Sequence, residues 1–194
     1  MPKKNFLVLL LFFVSSAFAI SINVQILSAG FDDPGYYGGI AKLMVNGTDY
    51  AINSRGVNLV VVDQFTGIVL NSVSYDTYVS TANSDNMASF INSLSAGRIV
   101  LAAVKDEAVS QMTTAGINAL LSLGASSFNQ GYRGSWALLG VKGTTGQLQV
   151  SHAQYTGPSS ISTTINLVPE PTTWILMLAG LVGFMYRQNF KQKN

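Results

Sequence analysis

"VNLVVVDQFTGIVLNSVSY", Val57 to Tyr75, is the stretch on which the fold class turns. Val57 to Val62 is apolar except for Asn58, the pattern of a strand buried on both faces rather than one with a wet side. Asp63 to Gly67 carries turn residues, and Ile68 to Tyr75 brings the chain back as a partner strand. The neighbouring segments extend the same theme. Ile22 to Leu27 alternates apolar and polar residues and reads as a strand. The turn-rich loop "SAGFDDPGYYGG" follows, and "IAKLMVNGTDYAIN" reads as a hairpin around Asn46-Gly47.

Two helices are expected downstream. The first is capped by Ser84, with Met87, Phe90, Ile91 and Leu94 on one face and Gly97 at its stop. Thr113 caps the second, whose Ile117, Leu120 and Leu121 share a face before Gly124. Gly116 should weaken it by ~1 kcal/mol relative to alanine. Ile99 to Val104, Ser135 to Val141 and Gln147 to Gln154 read as further strands. Residues 158–168, within "GPSSISTTINLVPEP", lack aromatics and read as a linker. Strands outnumber helices and mostly follow one another directly, which favours α+β over a doubly wound fold.

The two ends read differently from the middle. "MPKKNFLVLLLFFVSSAFAISINVQ" has Lys3 and Lys4, an apolar stretch and Ala17-Phe18-Ala19, the three-part pattern of a secretory signal with cleavage after Ala19. This divides the chain into a signal (1–19), one domain (20–157), the linker (158–168) and a tail (169–194). In the tail, residues 172–186 form an uncharged run that spans about 22 Å as a helix, short of the ~30 Å hydrocarbon core. Arg187, Lys191 and Lys193 follow it, and the positive-inside rule leaves them in the cytoplasm.

Composition narrows the chemistry. Between Ile20 and Val168 there are six Lys or Arg and eight Asp or Glu, giving −2, so no basic stripe suggests a nucleic-acid partner. There is no cysteine, hence no disulfide and no thiolate ligand or nucleophile. His152 is the only histidine, which leaves zinc ligation to carboxylates and reads as structural. Asp32-Asp33 lacks the alternating oxygens of a calcium loop and reads as a turn. Asp106 and Glu107 are adjacent, and neighbours in a strand point to opposite faces. No metal, cofactor or catalytic set is expected.

Pro169-Glu170-Pro171, the apolar run and the basic end resemble a PEP-CTERM sorting signal. That resemblance implies a Gram-negative exported protein, moved by the Sec machinery and held in the inner membrane by its tail. An exosortase-type protease would then cut it for release to the cell surface or exopolysaccharide matrix. A permanent anchor would put the domain on the same side. In the middle, "SRGVNLVVVDQFTGIVLNSVSYDTY", "AGRIVLAAVKDEAV", "LLSLGASS" and "GYRGSWALLGVKG" resemble the ILEI/PANDER-like domain family over about Ser54 to Gly143. The domain is similar to the stem of the transferase that adds N-acetylglucosamine to protein O-mannose.

The family resemblance implies two twisted, mostly antiparallel β-sheets facing each other, with short flanking helices. It also implies a non-catalytic carbohydrate site at Asp106 and Arg133, with Tyr132 as the adjoining aromatic. Here Gly134 stands where the stem has an acid, and Tyr132 where it has Trp. Arg55 and Asp76 read as structural. A carboxylate accepts from sugar hydroxyls, a guanidinium donates, and an aromatic covers the apolar sugar face. The alternatives are a structural Asp106–Arg133 ion pair in a protein-interaction domain, or a polysaccharide-cleaving enzyme with two facing carboxylates.

Overall fold

The computed structural model describes residues 20–167 and, beyond them, position 180 alone. The expected signal with its Ala19 site, the Pro169-Glu170-Pro171 triplet and the membrane segment 172–186 therefore lie outside the described residues, Gly180 apart. No helix among the described residues is long and apolar enough to cross a membrane.

The chain runs β1 (Ser21–Gly30), β2 (Ile40–Val45), β3 (Thr48–Asp49), β4 (Gly56–Val62), β5 (Val69–Tyr75), α1 (Thr81–Ser93), β6 (Ile99–Asp106), α2 (Thr114–Leu121), β7 (Ser135–Val141), β8 (Leu148–His152) and β9 (Ser159–Asn166). The fold is α+β. Strands β5, β4, β6, β7 and β8 form one antiparallel ladder, and β3, β2, β1 and β9 form another. A short parallel join, Ala29 with Lys105 and Gly30 with Asp106, makes them one hydrogen-bonded network.

Burial explains why the apolar runs are unbroken. On β4, Val57, Leu59 and Val61 face a core shared with the helices, while Val60 and Val62 face the second ladder. The same division holds on β6, with Val100, Ala102 and Val104 on the helix side and Ile99, Leu101 and Ala103 opposite. On β7, Trp136 and Leu138 face the helices and Ala137 and Leu139 face the ladder. Ile22, Val24 and Ile26 of β1 and Ala41 and Leu43 of β2 close that second layer. Along β2 and along β1 up to Ile26 the inner sides alone are buried, hence their alternation, whereas Ser28, Ala29 and Gly30 are all buried.

Asn46 (φ 51°) and Gly47 (φ 83°) both adopt the left-handed conformation that a tight hairpin requires, as Asn-Gly predicts. The returning arm pairs only through Thr48 and Asp49. The Asp49 carboxylate then accepts from the Leu43 and Ala51 amides and replaces further ladder bonds. In the turn after β4, Asp63 accepts from the Phe65 and Thr66 amides and pairs with Arg98. Burial opposes its charge, yet these donors outweigh it and lower its pKa to about 2. Its stabilising contribution is complete above the ordinary aspartate value and is lost as pH falls through about 2.

Two expectations need correction. Helix α1 is capped by Ser80, whose hydroxyl accepts from Asn83 N. Ser84 lies inside the helix and is buried against α2, where its hydroxyl accepts from Thr113 N. Apolar spacing marked the buried face and could not mark the first turn. Residues 158–168 are not a linker, because Ser159–Asn166 pairs with β1 from Ser28 to Ser21. That strand needs only Ile161 and Ile165 inward, so its Ser/Thr-rich outer face looks like linker composition. Gly116 also permits close helix contact: a Cβ there would lie 2.2 Å from Ser84 Oγ. Thr113 caps α2 as expected.

Trp136 is fully buried, meets Phe128 edge-on at 5.0 Å and donates its indole N–H to Ser127 O at 3.2 Å. Replacing it with alanine opens a cavity and leaves that carbonyl without its partner. Denaturant unfolding of Trp136→Ala should show a loss of about 3–5 kcal/mol.

Candidate functional site

The join between the two ladders brings three distant segments to one place. Gly30 pairs with Asp106 at the ends of β1 and β6, and the Phe31 amide donates to Asp106 O at 3.1 Å. A Cβ on Gly30 would stand 1.8 Å from Arg133 O, and one on Gly39 would stand 2.4 Å from Asp106 N. Glycine is therefore required at both positions for the backbones to meet. Asp106 (φ 64°) and Arg133 (φ 51°) both adopt the left-handed conformation. Aspartate tolerates it, whereas for arginine it is a strain that the surrounding contacts must hold.

The side chains divide into committed and uncommitted groups. Arg133 Nη1 donates to Asp32 Oδ2 at 3.1 Å, and Gln154 Nε2 donates to the same oxygen at 2.6 Å. The guanidinium lies 4.3 Å from the Phe31 ring centroid and 5.1 Å from that of Tyr132, which is 49% exposed. Arg55 grips Asp76 through Nε and Nη2, at 3.0 and 2.7 Å, and covers the Tyr78 ring at 4.3 Å. No described group donates to the Asp106 carboxylate. Burial pushes its pKa up, against the opposing pull of Arg55 and Arg133. Glu107 points the other way, buried, accepting from the Val109 and Ser110 amides.

The structure thus stacks Arg133 on the rings of Phe31 and Tyr132, and brings Asp106 to Phe31 through the backbone. The alternative Asp106–Arg133 ion pair does not form, because Arg133 pairs with Asp32 instead. Asp32 sits in the expected turn, closed by Asp33 N donating to Gly30 O at 3.3 Å, and its carboxylate also serves Arg133. Asp33 is buried and accepts from the Gly30 and Gly157 amides. Sequence reasoning missed Phe31, Asp32 and Gln154, which lie far along the chain from Arg133. The aromatic next to an acid in "FDDP" was the one available signal. Arg55 and Asp76 form the ion pair expected of structural residues, yet Arg55 also lies within electrostatic reach of Asp106. His152 sits nearby in a structural role: its Nδ1 is 3.1 Å from Ser159 Oγ, which is 2.8 Å from Ser135 Oγ, tying β8 to β9 and β7.

Residues 55–144 match the family Interleukin-like EMT inducer. This segment contains Arg55, Asp106, Tyr132 and Arg133, whereas Phe31, Asp32 and Gln154 lie outside it. Among similar curated proteins, the human cell migration-inducing and hyaluronan-binding protein is 34% identical over 104 residues, 53% of this chain and 8% of the relative. A zebrafish cell surface hyaluronidase is 38% identical over 92 residues, 46% of this chain and 7% of the relative. Human protein FAM3D is 30% identical over 94 residues, 48% of this chain and 41% of the relative. The chain therefore spans less than a tenth of the length of the first two relatives. The matched segment, residues 55–144, holds the central strands β4, β6 and β7.

A raised carboxyl pKa means that the folded state favours the protonated form. Any stability Asp106 contributes is present below its unfolded pKa and is lost as pH rises through the folded value. Asparagine also accepts the left-handed backbone. Urea unfolding at pH 7 should show Asp106→Asn as stable as wild type or more so, with the difference growing from pH 4 upward. A loss of about 2 kcal/mol or more would assign Asp106 a structural role.

Proposed function

We propose that the domain is a non-catalytic carbohydrate-binding module. Asp106 accepts from sugar hydroxyls, Arg133 donates through its remaining N–H groups, and Tyr132 with Phe31 offers an apolar face. The observation that carries this reading is the Asp106 carboxylate, which has no donor among the described residues, at a join whose other side is Arg133, its guanidinium tied to Asp32 and Asp32 in turn to Gln154. A relative named for hyaluronan binding supports a glycan ligand in general. The non-catalytic reading is supported by the state of the neighbouring carboxylates: Glu107 faces inward, while Asp32 and Asp76 are in ion pairs. A glycosidase needs a second available carboxyl facing the first.

Each charge-assisted hydrogen bond contributes about 1.5–3 kcal/mol before desolvation. One sugar held by one Asp and one Arg then binds at roughly millimolar strength, so useful affinity comes from many copies on one polymer. A surface or matrix setting supplies that multivalency. The N-terminal pattern and the PEP-CTERM-like tail support export from a Gram-negative cell and sorting by an exosortase-type protease. On that reading, mass spectrometry of native material finds a chain that starts near Ile20 and lacks Trp174 to Asn194. An intact chain would count against sorting.

A glycan array at high protein density should register binding. Asp106→Asn and Arg133→Lys should each reduce it about tenfold or more, with melting nearly unchanged, because lysine keeps the charge but loses the planar fork. An array with no response, or variants that lose binding only by unfolding, would reject the site.

A further inference from the structure

Resting on the carbohydrate reading, we propose that Tyr155 is a second sugar-stacking position, so that the site takes a run of sugar units and not a single terminal sugar. The turn that follows β8 carries this. Gln154 Nε2 donates to the same Asp32 oxygen that accepts from Arg133 Nη1, so the turn and the arginine meet on one carboxylate. The Gly157 amide donates to Asp33 Oδ1 at 3.3 Å, and its carbonyl accepts from Ser135 Oγ at 3.0 Å. Between them the turn closes on itself, with Thr156 N and Oγ1 both donating to Ala153 O. The His152 carbonyl, just before it, packs so closely on Gly134 that a Cβ there would lie 2.6 Å away. Residues 153–157 are thereby pinned to the loop of Asp32 and to the segment that carries Arg133.

Tyr155 lies inside this pinned turn with a φ of 66°, a left-handed conformation that a bulky residue holds only where surrounding contacts impose it. Its side chain takes no part in either core, and among the described residues it stacks on no ring and covers no cation. The residue is 65% exposed. An exposed tyrosine offers an apolar face and a hydroxyl, which match the apolar face and the rim hydroxyls of a sugar. Tyr132, also exposed, adjoins Arg133 as Tyr155 adjoins Gln154. The Arg133–Asp32–Gln154 bridge therefore has an exposed tyrosine next in the chain at each end. Two such residues tied to one hydrogen-bonded bridge suit neighbouring units of a polymer, at little ordering cost. Stacking on a sugar's apolar face does not depend on the charge of the unit, so neutral and acidic chains are treated alike. Tyr155 lies outside residues 55–144, and this extension belongs to the chain rather than to the matched segment.

The test is titration of the full-length chain in mild detergent against two oligosaccharide ladders, β-linked N-acetylglucosamine and galacturonate, each from monomer to hexamer. On the ladder that binds, affinity should rise with length about tenfold or more, beyond the few-fold gain that extra binding registers supply. Tyr155→Asn keeps a residue that accepts the left-handed backbone and removes the ring. It should weaken the longest member about fivefold or more and leave the monomer within about twofold. Tyr155→Phe keeps the ring and should retain most of the gain with length. An affinity that does not grow with length in the wild type would overturn the second position while leaving the Asp106 and Arg133 site standing. So would a Tyr155→Asn chain that keeps the whole gain, or that loses affinity equally for every member. If no member of either ladder binds, the carbohydrate reading itself falls, and the second position with it. The wild-type length dependence decides the question even where a variant fails to fold.

Discussion

Burial of β6 on both faces is the constraint from which the rest of the structure follows. A strand covered on two sides cannot satisfy its side chains with water, so one layer of helices and one layer of strands must be found for it. Its neighbours β4 and β7 share the condition, which makes these three strands the central slab of the molecule. The backbone ladder solves the polar half of the problem by pairing β6 on both sides. The apolar half is solved by alternation: successive residues enter different cores.

Where β6 ends, the same geometry produces the site. Its last pair of residues lies past β7 and joins β1 in the parallel direction, with Lys105 still paired to Gly56 of β4. The chain must then turn sharply, and Asp106 adopts a left-handed backbone while Glu107 folds back to cap the following turn. A carboxylate is thereby projected outward from a rigid element, not from a loop tip. The price in backbone strain is also visible at Arg133, held against Gly30 on the other side of the join. Strain of this kind persists only where surrounding contacts fix it, and it concentrates at places that bind.

At the join each of the two arginines is held by a carboxylate, Arg133 by Asp32 and Arg55 by Asp76. Arginine stacked on an aromatic ring and tied to a carboxylate is stiff, which reduces the ordering cost of binding. Asp32 serves Arg133 in this way, and Gln154 serves Asp32, so a segment after β8 controls a side chain before β7. The ILEI-type segment ends before Gln154 and begins after Phe31 and Asp32. The site is therefore completed by parts of the chain outside the family match.

Local pattern was enough for the α+β class, the buried strands β4, β6 and β7, the Asn-Gly hairpin and the Thr113 cap. Each depends on residues close in sequence, where periodicity and turn chemistry act directly. The family motifs also placed Asp106, Tyr132 and Arg133 on a short list of candidates. Tertiary structure decided what no local pattern encodes. Ser84 is a helix contact because α2 passes beside it, and Gly116 is an asset because that passage is close. The Ser/Thr-rich stretch becomes β9 because β1 offers an open edge with register for it. Asp32, and not Asp106, neutralises Arg133, because pairing over that separation is set by where two loops land once the slab has folded.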